Sequence, residues 1–180
     1  MLELFRAGGL LMWPLLLVSV ISLAVMIERW LVFRSLQMPT FSKTAQSVLE
    51  SFSKTPAFAQ LAQKLSARNE DESVAEAQEL INRLNDHLNI LSVIVKLAPL
   101  LGLLGTVVGM IDTFSAVATA SGGVQMAQLA DGIWQALITT AAGLSIAIPT
   151  LFVLSFFDSY VNRFSEKLDR AIGIVLNDKE

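Results

Sequence analysis

Cysteine is absent from the chain, which excludes disulfides, thiolate nucleophiles and cysteine-bound metals. Charge is scarce: Asp, Glu, Lys and Arg make up 16% of the residues, against about a quarter in a soluble domain. The net charge of −3 leaves no basic footprint, so nucleic acid is not an expected partner. The single histidine, His87, has no companions at metal-ligand spacing, and no metal site is expected. Phosphate loops, nucleophile–base pairs, internal repeats and low-complexity tracts are missing as well. The chain reads as a non-enzyme without a cofactor.

What fills the sequence instead is apolar, with hydrophobic residues at 53% of 180 positions. They are gathered into blocks, and spanning a bilayer takes about 20 predominantly apolar residues. Three blocks qualify. One runs from about Gly8 to Ile27 and carries no charge, a second from Leu97 to about Ala118 is interrupted only by Asp112, and a third from Gly132 to Phe157 is uncharged. The first ends in Glu28-Arg29-Trp30 rather than at a small-residue cleavage site, so it reads as a retained span and not as a signal peptide.

Lys and Arg are concentrated between spans one and two and after span three, and none lies between spans two and three. The positive-inside rule then puts the N-terminus outside and both the middle segment and the C-terminus in the cytoplasm. The expected organisation is an outer segment with span one (1–34), a cytoplasmic helical segment (35–90), span two (91–118), an outer loop (119–131), span three (132–157) and a cytoplasmic helix (158–180). The fold class is all-α, an integral membrane protein whose second and third spans extend into a cytoplasmic helical bundle.

Periodicity fills in the cytoplasmic part. Phe41, Ala45, Val48, Leu49 and Phe52, then Phe58, Leu61, Ala62 and Leu65, have helical spacing and predict two amphipathic helices broken near Thr55-Pro56. Asn69 reads as an N-cap before Glu70, Asp71 and Glu72. Val74, Ala77, Ile81, Leu84, Leu88 and Leu91 continue into span two, predicting one helix over 70–118 kinked near Pro99. Val161, Phe164, Leu168, Ala171 or Ile172, and Val175 extend span three in the same way, beyond a second intramembrane proline, Pro149. Asp131 reads as the cap of span three.

Spans two and three carry stripes of small and weakly polar residues. Gly102, Thr106, Gly109 and Thr113 are spaced four, three and four apart and share a helical face. Gly132, Ala136, Thr139 or Thr140, Gly143, Ala147 and Thr150 form a matching stripe, with Gln135 one turn in from the outer end. Gly102, Gly105, Gly109 and Gly143 are suited to close helix packing. Pairing the stripes would set Thr106 opposite Thr139 and Thr140 in mid-membrane. Threonine in a membrane helix also has a purely local use, bonding its own i−4 carbonyl. Asp112 is either an outer cation-attracting group or an interfacial cap. No mid-membrane carboxylate is present to carry a proton, so an ion path would need a titrating group from another chain.

The segment Ala98-Pro99-Leu100-Leu101-Gly102-Leu103-Leu104-Gly105-Thr106-Val107-Val108-Gly109-Met110, with Gly132-Ile133-Trp134-Gln135-Ala136-Leu137-Ile138-Thr139-Thr140-Ala141-Ala142-Gly143-Leu144 and Ala147-Ile148-Pro149, resembles the MotA/TolQ/ExbB proton-channel family, and within it ExbB. The resemblance implies a homopentamer in the bacterial inner membrane around a single-span ExbD- or TolR-like partner that brings an intramembrane aspartate. It implies an ion-motive-force motor, conducting protons or sodium, that energises a TonB-like transducer. The family's two lumen threonines map onto Thr106 and Thr140, with Thr139, Thr113 and Gln135 along the same path. Gln135 stands where the family usually has a glutamate. The alternatives are a TolQ-like envelope-maintenance motor and a non-conducting membrane scaffold.

Overall fold

The computed structural model describes residues 8–35, 45–55, 58–67, 69–119 and 126–177. Within them the chain forms six helices and no strand: α1 (Met12–Ser35), α2 (Ala45–Lys54), α3 (Ala59–Ser66), α4 (Glu70–Asn85), α5 (Leu88–Thr119) and α6 (Met126–Asn177). Three helical stretches are long and apolar enough to cross a membrane: Met12–Arg34, Glu70–Ala118 and Met126–Leu176. The residues divide into two compact units, one of 1–26 with 90–154 and one of 27–89 with 155–180.

In the first unit, Val18 of α1, Ile94 and Ala98 of α5 and Ala147 of α6 form a buried cluster, with Leu101 and Ile146 packed against it. Most large side chains of this unit point outward: Leu17, Val20, Leu103, Ile111, Leu137 and Phe152 are all exposed. In water such a surface would be unstable, whereas in lipid it is the expected exterior.

The second unit has a core of large apolar side chains. Val48 and Phe52 of α2, Phe58, and Leu61 and Leu65 of α3 are fully buried. Phe157, Val161, Phe164 and Leu168, on one stripe of α6, are buried in the same unit. Phe58 bridges them, with its ring centroid 5.7 Å from both Phe52 and Phe164. Burying each such side chain contributes about 1.5–3 kcal/mol. Lys64 Nζ lies 2.6 Å from Oε2 of the buried Glu76. That hydrogen bond holds the lysine pKa above its ordinary value, so the lysine's contribution is present at neutral pH and is lost as pH climbs through the raised pKa.

The periodic stripes of α2, α3 and the end of α6 are therefore buried as their spacing predicts, and the break between α2 and α3 falls at Thr55. Phe41 and Pro56 lie outside the described residues. Four local expectations are corrected. The helix over 70–118 is interrupted at Asp86–His87, although its continuation through Pro99 is as expected. Asn69 stands at the N-cap position with extended backbone, but its side chain makes no cap; its carbonyl instead accepts from Ser73 N and Ser73 Oγ, at 3.0 and 2.7 Å. Helix α6 begins at Met126, ahead of the expected end of the outer loop, so Asp131 sits inside the helix and does not cap it. Val74, on the stripe of α4, is 52% exposed.

Candidate ion-path face

Helices α5 and α6 lie antiparallel within the first unit, and their small residues set how closely they approach. A Cβ added at Gly143 would stand 2.5 Å from the Ala98 carbonyl oxygen and 3.2 Å from Gly102 Cα. At Gly102 it would meet Thr140 Cα at 3.0 Å, and at Gly109 the Ala136 Cβ at 3.2 Å. Gly105 receives the side chain of Thr139, and Gly132 receives that of Thr113. As α5 advances from Ala98 to Thr113, its partners on α6 recede from Gly143 to Gly132. At Gly102 and Gly143 backbone meets backbone, and at Gly105 and Gly132 a threonine side chain fills the space a Cβ would need.

The contact face of α5 is thus Gly102, Gly105, Gly109 and Thr113. Thr106 is displaced from it by about 100° around the helix, the turn of one residue from Gly105. The expectation that Thr106 and the Thr139–Thr140 pair face one another within the chain is corrected: the pair packs on Gly102 and Gly105. Thr106 remains half-buried and borders an open groove of about 530 Å³ lined by Val107, Met110, Ile111 and Phe114.

The hydroxyls have different fates. Thr106 Oγ1 donates to the Leu103 carbonyl at 2.7 Å, within its own helix. Thr140 Oγ1 donates across the seam to the Gly102 carbonyl at 2.9 Å. Thr139 is 1% exposed and donates to the carbonyls of Gln135, at 3.0 Å, and Gly8, at 3.3 Å. Thr113 is buried and donates to the Gly109 carbonyl at 2.6 Å. Gln135 is exposed, and its Nε2 comes so near Gly9 that a Cβ there would be 2.5 Å away. Gly9 has φ +69°, a left-handed conformation that favours glycine. Asp112 is exposed. Among the described residues no group of three His, Asp or Glu side chains could hold a metal ion.

Chemically, the face offers hydroxyl and carbonyl oxygens and one amide, none of which ionises at neutral pH. Such groups can solvate an ion or bond a carboxylate, but they cannot take up and release protons.

Two polar contacts were not read from the sequence. Ser22 and Thr150 are buried and joined at 2.7 Å, tying α1 to α6, while Thr150 Oγ1 also reaches the Ile146 carbonyl at 2.7 Å. Both are hydroxyls in otherwise apolar blocks, but each block holds others, so only the partner helix singles them out. Arg29 is 5% exposed and reaches His87, which no sequence spacing links to it.

The profile of the MotA/TolQ/ExbB proton channel family matches residues 41–170. The chain is 33% identical to the biopolymer transport protein exbB1 of Vibrio cholerae, over 96% of this chain and 86% of that protein. It is 30% identical to the biopolymer transport protein ExbB of Aquifex aeolicus, over 88% of this chain and 82% of that protein. A shorter match, 36% identical over 51% of this chain and 36% of that protein, is to the Tol-Pal system protein TolQ of Pseudomonas aeruginosa. The chain is a multi-pass membrane protein that belongs to the MotA/TolQ/ExbB proton channel family, on its ExbB side.

Proposed function

We propose that the chain is the ring-forming subunit of an ion-motive-force-driven motor in the bacterial inner membrane. Five copies would surround a single-span partner of the ExbD or TolR kind, and ion flow would energise a TonB-like transducer. The observation that carries this reading is the face of α5 beyond the seam. Thr106 borders an open groove between large apolar side chains, and no ionisable group stands beside it among the groove residues. A face of this kind has oxygen to offer and no charge of its own, which suits a partner that brings a carboxylate. The ion is a proton or sodium, since threonine oxygens accept either.

In this reading Thr106 and Thr140 are the lumen hydroxyls. Thr140 has a second duty at the seam through the Gly102 carbonyl. Thr139 and Thr113 support them from inside the subunit. Gln135 flanks the outer part of the path, and Asp112 draws cations towards it. The N-terminus lies outside and the C-terminus in the cytoplasm.

Proteoliposomes holding the chain with its single-span partner provide the test. Thr106→Val should lower ion flux about ten- to hundred-fold, since a hydrogen bond to a charged group contributes about 1.5–3 kcal/mol. Thr106→Ser should restore most of it. Unchanged flux in Thr106→Val with the complex intact would remove Thr106 from the path.

A non-conducting scaffold is the second reading. Gln135, which cannot titrate, and the threonines bonded to carbonyls favour it. Co-purification distinguishes the two, because a motor subunit brings down a single-span protein with an intramembrane aspartate and a scaffold does not. A TolQ-like motor would pair with a TolR-like protein instead of an ExbD-like one.

A further inference from the structure

Interruption of the helix at Asp86–His87 leaves backbone carbonyls without their helical partners. Two of these, on Arg83 and Leu84, are taken by a single side chain of another helix. Arg29 Nη1 of α1 lies 3.5 Å from the Arg83 oxygen and 3.3 Å from the Leu84 oxygen. The guanidinium is buried, and its Nε has no partner. Its remaining anchors are Glu28 Oε1, at 3.3 Å, and His87 Nδ1, at 2.6 Å, both reached by Nη2.

That last contact conflicts with its neighbour. A guanidinium has only donors, so Nδ1 of His87 can bond Arg29 only with its lone pair. Yet Glu28 Oε1 also lies 2.8 Å from the same nitrogen, and a carboxylate can bond it only if Nδ1 carries a hydrogen. One nitrogen cannot serve both at once. Neutral His87 bonds Arg29 in the tautomer that carries its proton on Nε2. Imidazolium bonds Glu28 and sets a positive charge against Arg29. Imidazole is the side chain that ordinarily changes charge between about pH 5 and 8.

We propose that Glu28, Arg29 and His87 form a proton-dependent clasp between α1 and the α4–α5 junction. It is closed with His87 neutral and loosened when His87 is protonated. In the closed state Arg29 is held by both junction carbonyls, by Glu28 and by the His87 lone pair. In the open state Glu28 is shared with the imidazolium, and the unpartnered Nε offers Arg29 no substitute anchor. The other charged groups near His87 are Asp86, its neighbour in the junction, and Arg83, whose own guanidinium is paired with Glu79. On the α6 side, one turn along α1 from Arg29, Phe33 meets the rings of Phe157 and Tyr160, at 4.7 and 4.9 Å, and Tyr160 is the titratable group there. The clasp rests on this geometry alone and stands or falls separately from the ion-path reading.

Because the chain has one histidine, every imidazole ¹⁵N signal belongs to His87. The full-length protein in lipid nanodiscs is titrated by ¹⁵N NMR, with backbone amide exchange followed over residues 85–90. At alkaline pH, Nδ1 should show the shift of an unprotonated ring nitrogen. On acidification both nitrogens should protonate while exchange at the junction, corrected for intrinsic rates, rises about tenfold, as for loss of one charge-assisted hydrogen bond. His87→Gln should exchange at a pH-independent corrected rate. An Nδ1–H tautomer at alkaline pH, a junction insensitive to His87 protonation, or the same pH response in His87→Gln would each overturn the clasp.

Discussion

The two units of this chain reach stability by opposite uses of side-chain size. In the unit of 27–89 and 155–180, large rings and leucines fill the interior, and charged residues stay outside or are paired. In the unit of 1–26 and 90–154, glycine, alanine, serine and threonine share the interior with a few larger residues such as Leu15, Leu91 and Ile94, and many large side chains face out. The difference follows from solvent. Water drives large apolar groups together, whereas lipid is as apolar as leucine and leaves close backbone approach and hydrogen bonds as the main attractions. One region is therefore most sensitive to losing atoms and the other to gaining them.

The largest effect should come from Phe164→Ala. It removes a ring that packs on Phe58 at the centre of the second unit, at a cost of about 3–5 kcal/mol. Hydrogen exchange should show this unit opening while α5 and α6 in the first unit keep their protection; equal loss in both would mean the contrast is false. Gly143→Ala adds atoms instead. Its Cβ meets the Ala98 carbonyl, which belongs to backbone and cannot swing away. Overpacking of this kind costs about 1–3 kcal/mol, read as a lower denaturation midpoint in detergent. The matching loss of a methyl, Ala171→Gly in the second unit, should leave the first unit's protection untouched. Ser22→Ala removes one end of the Ser22–Thr150 hydrogen bond. Intramembrane side-chain hydrogen bonds average about 0.6 kcal/mol, so its midpoint should move less than that of Gly143→Ala. The smallest effect belongs to the exposed Glu50–Lys54 pair. Its hydrogen bond lowers the Glu50 pKa, but both partners are solvated. Glu50→Gln should leave the midpoint unchanged, and a clear shift would show that this helix is buried against something else.

Legibility in the sequence follows the same division. The stripes Phe52–Leu65 and Val161–Val175 were readable because a soluble core needs large apolar residues at helical spacing. The seam was readable only in part. Gly102, Gly109 and Thr113 lie on it as their spacing predicts, but Gly105, and not Thr106, completes the face. Neighbouring small residues differ by one helical step, and only the partner helix decides which one turns inward. The interruption at Asp86–His87 carries no glycine or proline, so nothing in the local sequence marks it. Thr139 and Thr140 look equivalent as neighbours, yet one is buried on the carbonyls of Gly8 and Gln135 and the other bridges to Gly102.

By itself the sequence determined the three spans, the all-α class, the amphipathic bundle helices and the lack of a mid-membrane titrating group. Those are properties of composition and period, which each segment carries alone. Only the tertiary structure decided that Thr106 stands beside an open groove while Thr139 and Thr113 are spent inside the subunit. It also decided that Arg29 reaches the junction carbonyls of Arg83 and Leu84 and meets His87. Each of these depends on which side chains from distant parts of the chain come within hydrogen-bonding reach, and no single segment encodes that distance.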